Sequence, residues 1–319
     1  MKKVRPFYKK YQRLRPDLNK RIMAILVNSE TKVLIQGITG KSGLSACADL
    51  LDYGMQVVGG VTPGKGGQVA MGLPVFNSVR ELVAALGLVD CAMVNVPPLL
   101  TLDAAMEAID AQIPLIHIFA ERVPVLDTSK ILFRAKEKGV RVLGPNSVGA
   151  ISPGEGKVGS IGGPNAKITF SKGPVGVISK SGGMCSELGS MITNAGFGQS
   201  TVVGIGGDLL VGTTFVDALE MFESDTQTKV VVMFGEVGGN AEIEAARLVA
   251  VKKFTKPLII FLAGKFAEKL PKDTALGHAG AIVGLDSTME QKVASIKKSG
   301  AILAENFEDI PGILKKVIK

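Results

Sequence analysis

His278 lies in Gly277-His278-Ala279-Gly280-Ala281-Ile282, where its neighbours carry almost no side chain. An imidazole flanked in this way is open to a large reactant from several directions, and glycine admits turns that other residues resist. Taken alone, the pattern favours a turn histidine that merely caps a strand. Glu236 ends a very apolar strand and sits among glycines. A carboxylate there can accept the Nδ1 proton of an imidazole and leave Nε2 as the nucleophile, although by itself it reads equally as a loop carboxylate in a surface ion pair. A third stretch, Ser179-Lys180-Ser181-Gly182-Gly183-Met184, joins a strand to a helix. Glycines at a helix start leave N–H groups unpaired, and the helix dipole favours an anion there. Ser181 adds a hydroxyl donor or acts as a plain N-cap. Strand-end loops of one sheet converge, so the three stretches together would form a phosphohistidine site with a nucleophile, an orienting carboxylate and an anion cradle.

A further glycine-rich turn, Gly37-Ile38-Thr39-Gly40-Lys41-Ser42-Gly43, follows the first β-branched run. It has the look of a dinucleotide fingerprint, whose backbone amides face a pyrophosphate at a helix N-terminus. NAD requires an acid at the end of the second strand to hold the ribose diol. Val61-Thr62-Pro63 and then Lys65 stand there instead, and a lysine in a glycine loop attracts another phosphate. The expected ligand is therefore a polyphosphorylated nucleotide other than NAD, and CoA fits. His117 lies within an apolar strand and reads as a core histidine or one supporting the site from behind. Cys185 reads as packing. There is no Gly-x-x-x-x-Gly-Lys-Ser/Thr loop and no acidic metal cluster, so an ATP–Mg site is expected on a partner subunit.

The elements that must position these residues alternate strand and helix along the chain. Such alternation predicts an α/β architecture with parallel, doubly wound sheets and ligands at the carboxyl ends of the strands. Three segments are expected: a basic arm (1–28), a first α/β domain (29–155) and a second (156–319). The boundary is set in the Gly/Pro/Lys-rich stretch 150–173. Nine Lys/Arg stand against Asp17 alone in residues 1–28, so the whole net charge of +8 lies in the arm and the remainder is balanced. The arm reads as a contact for a partner subunit, with weak polyanion binding as the second choice. Without tryptophan, base-stacking recognition of nucleic acid is not expected. No apolar run reaches membrane-spanning length. Three widely spaced cysteines give neither a disulfide framework nor a zinc site and suit a reducing, cytoplasmic setting.

Five blocks in order carry a family resemblance: Gly-Gly-Val-Thr-Pro-Gly-Lys-Gly-Gly (59–67), Gly-Phe-Gly-Gln-Ser-Thr (196–201), Gly-Ile-Gly-Gly-Asp (204–208), Gly-Glu-Val-Gly-Gly (235–239) and Gly-His-Ala-Gly-Ala (277–281). From about Ser29 onward the chain resembles the α subunit of succinyl-CoA synthetase and related ADP-forming acid–CoA ligases. The resemblance implies a Rossmann-like CoA-binding domain followed by a flavodoxin-like ligase domain. It implies that His278 is transiently phosphorylated, that Glu236 orients it, and that Ser181, Gly182 and Gly183 hold the phosphate. CoA would be bound by Thr39, Gly40, Lys41, Ser42, Lys65, Phe119, Ala120 and Glu121. A β-type subunit would bring an ATP-grasp site for ATP and Mg and much of the acid pocket.

Departures from the family pattern concern the acid. Ser181-Gly182-Gly183-Met184-Cys185-Ser186 replaces a segment in which threonine and tyrosine usually stand at the places of Gly183 and Ser186. Both changes widen the pocket and are similar to ATP-citrate lyase and citryl-CoA synthetase. Arg122, by contrast, replaces a glycine common to both branches. The expectation is a citryl-CoA synthetase subunit joining citrate to CoA at the expense of ATP, with a succinyl-CoA synthetase α subunit as the alternative. A non-catalytic regulator binding CoA or NAD(H) is the alternative of another class.

Overall fold

The computed structural model describes residues 25–318 apart from 265, 267–268, 272–273, 275–276 and 283–286. The first sheet contains β1 (Lys32–Gln36), β2 (Gln56–Val61), β3 (Val69–Ala70), β4 (Leu73–Phe76), β5 (Cys91–Val94), β6 (Leu115–Ile118) and β7 (Arg141–Leu143). Helices α1 (Lys41–Tyr53), α2 (Val79–Leu86), α3 (Thr101–Asp110) and α4 (Val125–Lys138) connect them. The strand order is β3-β4-β2-β1-β5-β6-β7, parallel except for the β3–β4 pair. Order reverses between β1 and β5, the crevice where an open α/β sheet takes its ligand.

Short β-branched runs become these strands because both faces are covered. Val33, Leu34, Ile35 and Gln36 are all buried. α1 buries Gly43, Ala46, Cys47 and Leu50, one face at helical spacing, and stops at Gly54 in the left-handed conformation. Gly43 is required by close approach: a Cβ there would lie 2.2 Å from the carbonyl oxygen of Gly37.

The second sheet contains β8 (Gly149–Ser152), β9 (Gly156–Val158), β10 (Lys172–Ser179), β11 (Gln199–Gly204), β12 (Val230–Gly235), β13 (Leu258–Leu262) and β14 (Ile302–Ala304). Its helices are α5 (Ala166–Thr169), α6 (Gly182–Asn194), α7 (Phe215–Ser224), α8 (Ala241–Ala250), α9 (Met289–Ser299) and α10 (Ile310–Val317). The order is β14-β13-β12-β10-β11-β8-β9, with reversal between β10 and β12. Its core strands are parallel, but β8 pairs antiparallel with both β11 and β9. Each sheet is thus parallel with an antiparallel edge, a refinement of the all-parallel expectation.

Two expected boundaries move. The β8–β9 hairpin belongs to the second sheet, so the change of sheet falls between Leu143 and Gly149 and not at residues 155–156. Gly, Pro and Lys hid a hairpin that turns through Gly154 at φ 77°. At the other end, Ile25, Val27 and Asn28 are buried, so the packed body begins inside the segment assigned to the arm. Residues 1–24 of that arm lie outside the described residues, as does much of the loop 265–276. Among the described residues no helix is long and apolar enough to cross a membrane.

The two units are tied at several points. Lys157, fully buried on β9, reaches Asp49 of α1 at 2.7 Å. Thr213 donates to the carbonyl of Val142 at 2.7 Å, and Gly212 N–H to that of Gly144 at 2.9 Å. His117 of β6 is fully buried, and its Nε2–H donates to the Ser147 carbonyl at 2.9 Å. The Ser147 hydroxyl in turn donates to Gly204 on β11. Burial pushes the His117 pKa down from 6.5 to about 4. The unfolded chain therefore takes up a proton below pH 6.5 that the folded chain refuses until about pH 4. Stability is fully present above that window and falls through it as pH drops, by about 2–3 kcal/mol between pH 7.5 and 4.5. His117→Leu is expected to remove that part of the slope while lowering stability at neutral pH. Denaturant unfolding at several pH values measures both, and equal slopes in the two proteins would count against this assignment.

Candidate active site

The second sheet's switch point gathers the predicted chemistry. β10 ends at Ser179, and α6 begins at Gly182 with Ser181 as its N-cap, whose hydroxyl accepts the Met184 N–H at 3.4 Å. Ser181 is thus a capping serine, and the donors available to an anion are its O–H and the N–H groups of Gly182 and Gly183. A Cβ on Gly183 would meet nothing closer than the Ser181 Oγ at 3.9 Å. A Cβ on Gly182 would strike Val148 Cγ1 at 2.1 Å. Ser186 lies half-buried about one turn further along α6.

β12, buried at every residue, ends at Gly235 and delivers Glu236 to the same edge. His278 Nδ1 lies 2.8 Å from Glu236 Oε2. Burial alone would raise the Glu236 pKa, but the His278 hydrogen bond and the Lys180 charge outweigh it and hold the carboxyl below its usual range. An ionised carboxylate only accepts, which assigns the proton to Nδ1 and leaves the Nε2 lone pair available. The hydrogen bond to Glu236 raises the His278 pKa; burial opposes it, and the carboxylate's charge adds to it.

Lys180, adjacent to the cradle, places Nζ 3.6 Å from Glu236 Oε1 and 4.0 Å from Glu242 Oε1. The β11 loop closes the other side. A Cβ on Gly207 would sit 2.5 Å from His278 Cδ2, and the Gly280 N–H donates to the Gly207 carbonyl at 3.2 Å. The first domain reaches this loop through Arg122, whose N–H donates to Asp208 at 3.3 Å. Arg122 holds φ at 56°, a left-handed value that favours the glycine expected there.

The first sheet's switch point is built for a nucleotide. Gly40 caps α1 with no side-chain hydrogen bond, which leaves the amides of Lys41 and Ser42 facing outward. Thr39 donates to Thr62 Oγ1 at 3.2 Å, joining the glycine loop to the place where NAD enzymes carry an acid. Lys65 is exposed on a turn whose Gly64 and Gly66 N–H groups both donate to Asn77 Oδ1. At the end of β6, Phe119 and Glu121 are exposed and Ala120 is buried. Asn95 adds a residue that motif reading missed: its Nδ2 donates to Ser42 at 3.3 Å, while its buried Oδ1 has no hydrogen-bond partner among the described residues. Lys180, Glu242, Lys292, Gly207 and Asp208 were likewise missed, although Gly207 and Asp208 lie inside a quoted block. Among the described residues no cluster of His, Cys, Asp and Glu could hold a metal.

Residues 28–122 match the family of CoA binding domains and residues 178–303 the family of CoA-ligases. Subunit α 1 of the ADP-forming succinate–CoA ligase of Archaeoglobus fulgidus is 44% identical over 93% of this chain and 99% of its own. The corresponding α subunit of Aquifex aeolicus is 42% identical over 93% and 95%. This chain belongs to the succinate–CoA ligase α-subunit family. It is therefore an acid–CoA ligase subunit with a CoA-binding first domain. Among solved structures, Methanosaeta concilii ATP citrate lyase in complex with (3S)-citryl-CoA superposes with TM-score 0.85 at 25% identity, covering 93% of this chain and 51% of that one. The lyase from Methanothrix soehngenii, in complex with citrate and coenzyme A, gives 0.84 at 25%, again over 51% of its length. The chain spans about half of each lyase.

Two measurements test the site. In Glu236→Gln, His278 loses the carboxylate that raises its pKa and keeps the burial that lowers it, so its midpoint should fall relative to the parent. NMR titration of the imidazole reads this directly, and an unchanged midpoint would contradict the assigned bond. Gly207→Ala should displace the ring, lose the elevated titration and cost about 1–3 kcal/mol in unfolding free energy.

Proposed function

We propose that this chain is the α-type subunit of an ADP-forming succinate–CoA ligase in which His278 carries a phosphoryl group. The observation that carries the reading is the Nδ1–H bond to Glu236, which leaves Nε2 as a nucleophile; the same carboxylate meets Lys180 at the turn that starts α6. ATP and Mg would be held by a β-type ATP-grasp partner. Nε2 of His278 takes the terminal phosphoryl group as ADP leaves. Glu236 stabilises the extra positive charge on the ring, and the Gly182 and Gly183 amides with Lys180 meet the charge on phosphate. A succinate carboxylate oxygen then attacks phosphorus, giving an acyl phosphate and freeing Nε2. The CoA thiolate, brought by the glycine loop and Lys65 of the first domain, attacks the acyl carbon and expels inorganic phosphate. Deprotonated Nε2 is the reactive form, so phosphorylation should slow as pH falls through the raised pKa of His278.

Citrate is the second reading, favoured by the open space at Gly183, by Ser186 and by the two lyase structures. Overall identity supports succinate, at 42–44% against 25%. The three free thiols are buried and agree with a reducing, cytoplasmic setting. Incubation of chain and partner with γ-labelled ATP should give an acid-labile label that His278→Ala abolishes. Absence of that label would leave only the reading of a CoA- or NAD(H)-binding regulator. CoA-thioester formation should then be faster with succinate than with citrate, and the reverse order would transfer the assignment to citryl-CoA synthesis.

A further inference from the structure

Behind the Glu236–His278 pair lies a charged couple that touches no reactant. Glu242, in the first turn of α8, and Lys292, in the first turn of α9, are both fully buried. Lys292 Nζ donates to Glu242 Oε2 at 2.5 Å, to the Glu236 carbonyl at 2.7 Å and to the Gly238 carbonyl at 2.8 Å. Those contacts use all three donors of an ammonium group. Glu242 Oε1 accepts the Glu236 N–H at 3.2 Å. The main chain of Glu236 is thus held at its N–H by one member of the pair and at its carbonyl by the other. Gly235 makes the approach feasible, since a Cβ there would lie 2.6 Å from Glu242 Cγ.

We infer that the Lys292–Glu242 pair is the positioning device for the orienting carboxylate, fixing the backbone of Glu236 so that its Oε2 faces His278 Nδ1. Stability alone does not account for the pair. Taking two charges out of water costs several kcal/mol each, and apolar replacements of similar volume are often neutral or stabilising. What apolar residues cannot supply is a donor for the Glu236 and Gly238 carbonyls and an acceptor for the Glu236 N–H. The pair also leaves the carboxylate's own charge for Lys180 and His278, the groups facing it from the β10–α6 turn and the 277–282 loop. Asp208, on the β11 loop, is the other charge acting on His278. The inference rests on the proposed role of His278 for its catalytic consequence, and the test separates the two.

The chain has only two histidines, and His117 stays neutral above about pH 4, so the His278 imidazole can be followed alone by nitrogen NMR in the full chain. The double variant Lys292→Met, Glu242→Leu removes both charges without stranding either. It should remain folded by circular dichroism while His278 loses its elevated pKa and its preference for the Nδ1–H tautomer. With the partner present, the rate of His278 labelling should drop about tenfold to a hundredfold, the scale of a small misplacement of reacting groups. An unchanged tautomer and midpoint in the folded variant would overturn the inference. If the double variant does not fold, Glu242→Gln, which keeps the side-chain shape but offers Lys292 no carboxylate, is judged by the same two readouts. Absence of label in the parent would remove the phosphohistidine reading and leave the NMR outcome to decide positioning by itself.

Discussion

Between Gly207 and the imidazole of His278 there is room for a hydrogen atom but not for a methyl group. That clearance depends on every other placement at the second switch point. The ring is pressed from one side by the β11 loop and drawn on the other by Glu236 at 2.8 Å, a residue 42 positions away in sequence. Only a sheet in which β10 lies between β11 and β12 brings the three loops to one edge. Glycines at 207, 235 and 238 then allow backbone to approach closely where side chains would interfere. A Cβ on Gly238 would lie 2.7 Å from the Gly280 carbonyl, so the carboxylate loop and the histidine loop also touch through their main chains. The fold supplies proximity, and the missing side chains convert it into contact.

Much of this was legible in sequence because it is written in local pattern. The alternation of strands and helices along the chain implied the two doubly wound sheets. His278, Glu236 and the glycine-rich helix start were recognisable from residue type and from convergence of strand-end loops. The β8–β9 hairpin was not, because its pairing with β11 is long-range and its composition is that of a linker. Lys292 and Glu242 were hidden for a related reason. Each sits in the first turn of an ordinary amphipathic helix, where charge reads as solvated, and only the packing of α8 and α9 shows that both are buried. Ser181 illustrates the reverse case. Its type suggested a phosphate donor, and the structure adds a second role, because its oxygen also accepts the Met184 N–H while its O–H remains available to donate.

The site's charge balance follows from the same arrangement. Lys180 and Lys292 match Glu236 and Glu242, which leaves Asp208 as the remaining charge acting on His278. A phosphoryl group on Nε2 would add negative charge at the one place where the α6 amides and Lys180 are available. The two buried pairs, Lys292 with Glu242 here and Lys157 with Asp49 at the domain junction, share a design. Each sets a carboxylate against a buried lysine and joins two segments distant in sequence.

Acid preference can vary independently of this chemistry because different atoms govern it. In the proposed reaction phosphoryl carriage would use His278, Glu236 and backbone donors, which are fixed by loop contacts that leave no space for a side chain at Gly207, Gly235 or Gly238. The outer face of the first α6 turn is open: a Cβ on Gly183 would meet nothing closer than 3.9 Å, and Ser186 is half-buried. Val148 sets the inner face, wedged against Gly182 and Gly204 where a Cβ would come within 2.1 Å and 2.7 Å of it. A larger residue at Gly183 would therefore enter open space, whereas one at Gly182 would push the helix start away from Val148. One residue separates a position with open space around it from a position that packing against Val148 keeps as glycine.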